Sequence, residues 1–174
     1  MTSSEIVAPG GNLEKLKTAV YYGADAVYFG GEMMNLRDKS QNMTIPELEE
    51  AESFCRKNGV KSVFLLNAFV HEGDIDKLGR YIGSIRHIPF SAVMVSDPAT
   101  LHLVGESMTN SLVYLSTQAS TLNHIAARFW QKQGISRIVL ARETTLDDIR
   151  AIREHTDVEL EIFAHGAVCI SYSG

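Results

Sequence analysis

Gly23-Ala24-Asp25-Ala26-Val27-Tyr28-Phe29-Gly30-Gly31 is the stretch that decides the fold. A glycine that stops a helix is followed four residues later by the β-branched start of an apolar run, which is how a helix hands over to a buried strand. The same punctuation recurs at Gly59 before Val63, Pro89 before Val93 and Gly134 before Ile138. Working outward, strands are predicted at Ile6-Val7-Ala8, Ala26 to Phe29, Ser62 to Leu66, Ala92 to Val95, Leu112 to Leu115, Arg137 to Leu140 and Glu159 to Ala164. Several are continuous apolar runs, as expected for strands covered on both faces.

Between them the apolar residues fall at helical spacing: Leu13, Leu16 and Val20; Leu48, Ala51 and Cys55; Ile75, Leu78, Ile82 and Ile85; Leu122, Ile125 and Phe129; Leu146, Ile149 and Ile152. Helix starts are marked by Thr44 with Glu47, by Asp97 before Pro98, and by Thr145 with Asp148. Strands alternating with helices, joined by right-handed crossovers, wind a parallel sheet in one direction. The expectation is an α/β fold, a TIM-barrel-like (β/α)8 architecture truncated after strand 7, with residues 1–174 forming a single, incomplete barrel domain. A doubly wound open sheet is the alternative, but Pro9-Gly10-Gly11-Asn12 lacks the glycine spacing of a dinucleotide-binding loop. A barrel short of its last strand has two open sheet edges, so either the natural chain continues past Gly174 or the edges self-associate.

The chain has 174 residues, 45% of them hydrophobic, and a formal net charge of -5. That balance gives no global attraction to polyanions or to anionic membranes. No apolar run approaches the roughly 20 residues of a membrane-spanning helix. Cys55 and Cys169 are the only cysteines, and no basic-then-apolar leader precedes the first strand, so a cytoplasmic setting is expected.

In a barrel the loops after the strands converge on one face. They carry Asn35 and Arg37, Asn67 and His71, Ser96 and Asp97, Ser116, Thr117 and Gln118, Arg142 and Glu143, and His165 and Cys169. Arg37, in the long loop from Gly30 to Ile45, suits a carboxylate or phosphate, or is a solvated surface charge. Asp97 reads first as a helix cap. Ser116 to Gln118 offer hydroxyl and amide groups to a ligand, with Ser120 or Thr121 capping the next helix as the plainer reading. Arg142 and Glu143 form an ion pair in the mouth or solvate its rim. Neither Ser96 nor Ser116 sits in a nucleophile elbow. Cys169 with His165 is a possible nucleophile pair of unfixed geometry. Cys55 belongs to the apolar stripe of its helix.

Ala8-Pro9-Gly10-Gly11-Asn12-Leu13-Glu14, Gly23 to Gly31, Asn35-Leu36-Arg37, Val95-Ser96-Asp97-Pro98, Leu115 to Ala119, Leu140-Ala141-Arg142-Glu143 and His165 to Cys169 with Tyr172-Ser173-Gly174 together resemble the peptidase U32 family, the collagenase-like proteases. The resemblance runs over the whole chain. It implies enzymes that hydroxylate tRNA or rRNA bases, some with prephenate as hydroxyl donor, and accessory proteins of oxygen-independent ubiquinone hydroxylation. It also implies a [4Fe-4S] cluster on four cysteines in the full-length protein, the first matching Cys169. This fragment holds none of the others and is expected to bind no cluster alone. By the same carry-over Asn35, Arg37, Ser116, Gln118, Arg142, Glu143 and His165 are the expected substrate-binding residues, with Arg37 and Arg142 for anions. The leading expectation is therefore the N-terminal barrel part of a tRNA or rRNA hydroxylase. A peptidase using Cys169, a serine or a metal held elsewhere, and a non-enzymatic binding module, are the alternatives.

Overall fold

The repeated glycine of the helix stop is in the left-handed region in each of its three occurrences, with φ of 91° at Gly23, 69° at Gly59 and 90° at Gly134. A side chain at such a turn would be strained, so glycine ends each helix and turns the chain toward the next strand. The computed structural model describes residues 4–34, 42–166 and 173. Among these residues there are seven strands: β1 (Val7–Pro9), β2 (Ala26–Gly30), β3 (Lys61–Leu66), β4 (Ala92–Val95), β5 (Leu112–Leu115), β6 (Arg137–Val139) and β7 (Glu159–Glu161). Six α-helices separate them: α1 (Leu13–Tyr21), α2 (Ile45–Lys57), α3 (Ile75–Ile85), α4 (Pro98–Ser107), α5 (His124–Lys132) and α6 (Leu146–His155).

The strands pair in sequence order, and every pair is parallel. Register climbs along the sheet: β3 meets β2 from Lys61 but meets β4 from Val63, and β5 meets β4 from Leu112 but meets β6 from Tyr114. Such stagger tilts strands and lets a sheet roll up. The rolling is visible in one contact. Arg137 on β6 reaches Glu5, just before β1, at 2.6 Å, although five strand spacings of about 4.8 Å would separate β1 and β6 in a flat sheet. The sheet is thus the curled wall expected from the sequence, with β1 and β7 as its edges.

Alternation along each strand sorts side chains between two cores. Ala26, Val63, Leu65, Ala92, Met94, Tyr114 and Val139 form the inner cluster. Val27, Phe29, Phe64, Leu66, Val93, Val95, Leu115 and Ile138 face outward, against Leu16, Leu48, Cys55, Leu78, Ile82, Val104, Ala127 and Ile152 of the helices. Helix starts follow the predicted caps. The Glu47 carboxylate accepts from both the backbone N–H and the hydroxyl of Thr44, Asp97 accepts from Ala99 N at 2.7 Å, and Asp148 accepts from Thr145 in the same reciprocal way.

Two expectations need correction. The stripe Leu122, Ile125, Phe129 does not face the core: α5 begins at His124 with Asn123, not Ser120 or Thr121, as its cap. That start places Ala127 inward and leaves Ile125 and Phe129 exposed, as Leu146 is on α6. Strand β7 ends at Glu161, not Ala164.

The floor of the wall is ionic. Arg137, whose side chain is 7% exposed, donates from Nε and Nη2 to Glu159 at 2.8 and 2.6 Å. Its guanidinium lies 4.7 Å from the Tyr114 ring centroid, and Glu161 stands 3.7 Å away. Lys61 pairs with the other oxygen of Glu5. Hydrogen bonds from Lys61 and Arg137 hold the Glu5 carboxyl below its usual range, whereas burial pushes Glu161 up. Truncating one member of a buried charge network costs about 3–5 kcal/mol, so Arg137→Ala should lower the unfolding free energy by about 3 kcal/mol in urea titration. The two acids act oppositely on pH dependence. Glu5 contributes stability present above its ordinary pKa and lost as pH falls through its lowered folded value. Glu161, raised, favours the fold only below its ordinary pKa and loses that contribution as pH rises. Glu161→Gln should therefore gain stability relative to the wild type between pH 4 and 7, as read from melting temperatures across that range.

Candidate functional site

Because the strands are parallel, the residues that follow them gather at one mouth, and the inward positions of each strand continue into it. Asn67 after β3, Ser96 after β4 and Ser116 after β5 share parity with the inner cluster, and all three are buried. Ser96 Oγ donates to the Asn67 carbonyl at 2.7 Å. Asn67 Nδ2 donates to Ser116 Oγ at 3.2 Å, and Ser116 donates in turn to Gln118 Oε1. Gln118 sits in a single helical turn, Thr117–Ala119, held down by Thr117 Oγ1 donating to the Leu140 carbonyl at 3.2 Å. The result is a neutral, oriented hydrogen-bond chain across the ends of three strands.

The neighbouring end of β6 carries charge. Arg142 and Glu143 both engage Ser173. The Arg142 backbone N–H donates to Ser173 Oγ at 2.9 Å and Nη1 at 3.3 Å, while the Ser173 N–H and hydroxyl donate to Glu143 at 2.7 and 2.8 Å. These bonds, the Ser173 N–H first, hold the Glu143 carboxyl below its usual range. Arg142 also stacks over Phe163, 4.9 Å from guanidinium carbon to ring centroid. Sequence reading offered an ion pair or a solvated rim for this pair; the structure instead makes it a clamp on Ser173. His165 is exposed beyond β7. Asn35, Arg37 and Cys169 lie outside the described residues.

Of the expected binding residues, Ser116 and Gln118 are brought together, and Arg142 and Glu143 form a second group. Asn67 is drawn into the first. Its signal in the sequence was only its place after a strand. Among the described residues no group of three His, Cys, Asp or Glu side chains is arranged to hold a metal. Cys55 is fully buried in the outer core, and burial, aided by Glu52, pushes its thiol up to about 11. A four-thiolate cluster does not fit this chain's own residues, since its two cysteines include one locked away as a thiol. None of the mouth serines donates to an imidazole: Ser96 donates to a carbonyl, Ser116 to an amide and Ser173 to a carboxylate of lowered basicity. The site can orient and hydrogen-bond a polar ligand, and among the described residues no serine–histidine pair stands within it.

A parallel α/β barrel wall with its polar site at the C-terminal ends of the strands is a protein class shared by many chemistries. The chain belongs to peptidase family U32, whose family model matches residues 11–174. It is 44% identical over 170 residues to the tRNA hydroxylation protein P1 of Bacillus subtilis (strain 168), a match spanning 98% of this chain and 40% of that protein. It is 36% identical over 182 residues to a collagenase of Porphyromonas gingivalis, covering 98% of this chain and 43% of the relative. The chain thus spans about two fifths of the length of these relatives. The solved structure of the U32 peptidase Mk0906 superposes with a TM-score of 0.73 at 17% identity, over 93% of this chain and 70% of that one; it supports the fold alone. No helix among the described residues is long and apolar enough to cross a membrane.

The loop that carries Asn35 and Arg37 leaves β2 through Gly31, where a Cβ would stand 1.9 Å from the Tyr81 hydroxyl and 3.3 Å from Leu48 Cδ1. Burial pushes that phenol up to about 12, so it is a neutral wedge under the start of the loop. Overpacking of this kind costs about 1–3 kcal/mol. Gly31→Ala should destabilise by about 2 kcal/mol in urea titration, and Tyr81→Phe in the same protein should restore part of the loss.

Proposed function

We propose that this chain is the N-terminal barrel portion of a tRNA hydroxylase. The observation that carries the reading is 44% identity, across nearly the whole chain, to a protein named for tRNA hydroxylation. The mouth supports it in kind. Hydroxylating a base requires holding a planar, polar ring in a fixed orientation, and the Asn67, Ser116 and Gln118 chain is oriented and uncharged. Peptide hydrolysis by a serine calls for a hydroxyl aimed at a base; Ser96 and Ser116 are aimed at a carbonyl and an amide, and Ser173 at the Glu143 carboxylate that clamps it.

In this reading the base is presented to the mouth, and an anionic hydroxyl donor of the prephenate kind pairs with Arg37 and Arg142. Arg142 is already oriented by Phe163 and Ser173. Cys169 serves as one thiolate of a [4Fe-4S] cluster whose other ligands lie in parts of the longer protein outside these 174 residues. Such a cluster would supply electron transfer; the barrel's own part is to bind and orient. The net charge of -5 means that tRNA affinity comes from local basic surface, and it should fall steeply with salt.

Deleting the gene should remove a hydroxylated nucleoside from total tRNA digests analysed by mass spectrometry, and expressing Arg142→Ala should restore it less well than the wild type; tRNA of unchanged composition after deletion would overturn the reading. Full-length protein purified without oxygen should lose its iron on Cys169→Ala and keep it on Cys55→Ala. Equal iron in both variants would remove Cys169 from the ligand set.

A further inference from the structure

One polar atom of the mouth is left over. Asn67 is only 8% exposed, and its Oδ1, shut off from solvent, accepts no hydrogen bond among the described residues. An orphaned buried acceptor costs about 1–3 kcal/mol, and in a site mouth a ligand or an ordered water is one of the groups that can complete it. Asn67 follows β3 on the same face as Val63 and Leu65 of the inner cluster. Its bond to Ser116 passes over the end of β4 to the end of β5, which places the amide inside the mouth.

The orientation of that amide is determined by its neighbours. Ser116 gives its single proton to Gln118 Oε1, so its oxygen takes a proton from Asn67 Nδ2, and Oδ1 is the atom turned free. The backbone is pinned as well, by Ser96 Oγ on the Asn67 carbonyl. With Oε1 engaged, Gln118 keeps Nε2 as its donor. The two amides, joined through Ser116, therefore offer one acceptor and one donor. A carboxylate or phosphate presents acceptors only and would be repelled by Oδ1. A nucleobase edge, in which an N–H stands beside a carbonyl or ring nitrogen, is complementary to both amides.

We infer that Asn67 is a base-reading residue: its Oδ1 accepts a hydrogen bond from an N–H on the edge of the base to be modified, extruded into the mouth, with Gln118 donating to the adjacent acceptor. The inference rests on the RNA-hydroxylation reading and adds the atom by which the base is held. An extruded base is commonly read in this way, by hydrogen bonds to its exposed edge.

The test uses the full-length protein and four fluorescent RNA hairpins that differ in a single extruded base, with affinities measured by anisotropy at one fixed salt concentration. The best-bound hairpin is then compared with its counterpart whose edge N–H groups are methylated. Wild-type protein should bind the methylated hairpin about tenfold more weakly, the size of one hydrogen bond in a dry site. Asn67→Ala should bind both hairpins equally. Asn67→Asp, which keeps an acceptor, should retain the discrimination, and Ser116→Ala, which releases the amide to turn, should reduce it. A folded Asn67→Ala protein that keeps the full methylation penalty would overturn the role of Asn67 and leave RNA binding standing, as would a wild-type protein that binds both hairpins alike. If Asn67→Ala fails to fold, loss of discrimination in Asn67→Asp or its full retention in Ser116→Ala overturns the role instead. A wild-type protein that binds none of the hairpins sinks the RNA reading and this inference together.

Discussion

The guanidinium of Arg137 is the contact on which the shape of this chain turns. It comes from β6, grips Glu159 on β7 and crosses the inside of the sheet to Glu5 before β1. A buried cation must find carboxylates or forfeit its hydration. Here those carboxylates come from opposite edges of the sheet, so Arg137 can keep both only while the sheet stays curled. Tyr114 completes the box with an aromatic face rather than another charge. The floor of the wall is therefore polar by design of the strands themselves, since Arg137, Glu159 and Glu161 occupy the inward positions where apolar side chains would otherwise stack.

The same curvature that the ionic floor locks shapes the mouth at the other end. Curling brings the ends of β3, β4 and β5 close enough for Asn67 to reach Ser116 across β4, and the Arg142 and Glu143 clamp stands beside that neutral group at the end of the next strand, β6. The two groups divide the work of a site. The neutral amides and hydroxyls have directions but no charge, which suits shape- and edge-reading of a planar ring. The charged pair holds Ser173, while Arg142 keeps one face against Phe163. A barrel with the chemistry at one end and its stabilising charges at the other can vary the first without disturbing the second.

Much of the wall was legible beforehand, because local physics governs it. Gly59 followed by Val63 marks a left-handed turn and a buried strand in any context, and Thr145 with Asp148 satisfies backbone donors within a few residues. Where a choice depended on distant partners, sequence reading failed. The α5 stripe misled because Asn123 caps the helix one residue after Leu122 and rotates Ile125 and Phe129 outward. Arg137 was read as an ordinary strand residue because Glu5, 132 positions away, is its partner only once the sheet has curled. In the site, Ser116, Gln118, Arg142 and Glu143 were visible by their place after strands, but the pairing of Arg142 and Glu143 with Ser173 was not.

The order of strands and helices, the parallel sense of the sheet and the end at which polar residues collect follow from the sequence, since they depend on caps, turns and two-residue alternation, all of which act over one or two turns of chain. Which inward side chains meet was decided only by the tertiary structure. Curvature sums small twists and register steps over seven strands, and no local pattern records that sum. The Glu5 to Arg137 bridge and the unclaimed oxygen of Asn67 are both products of it.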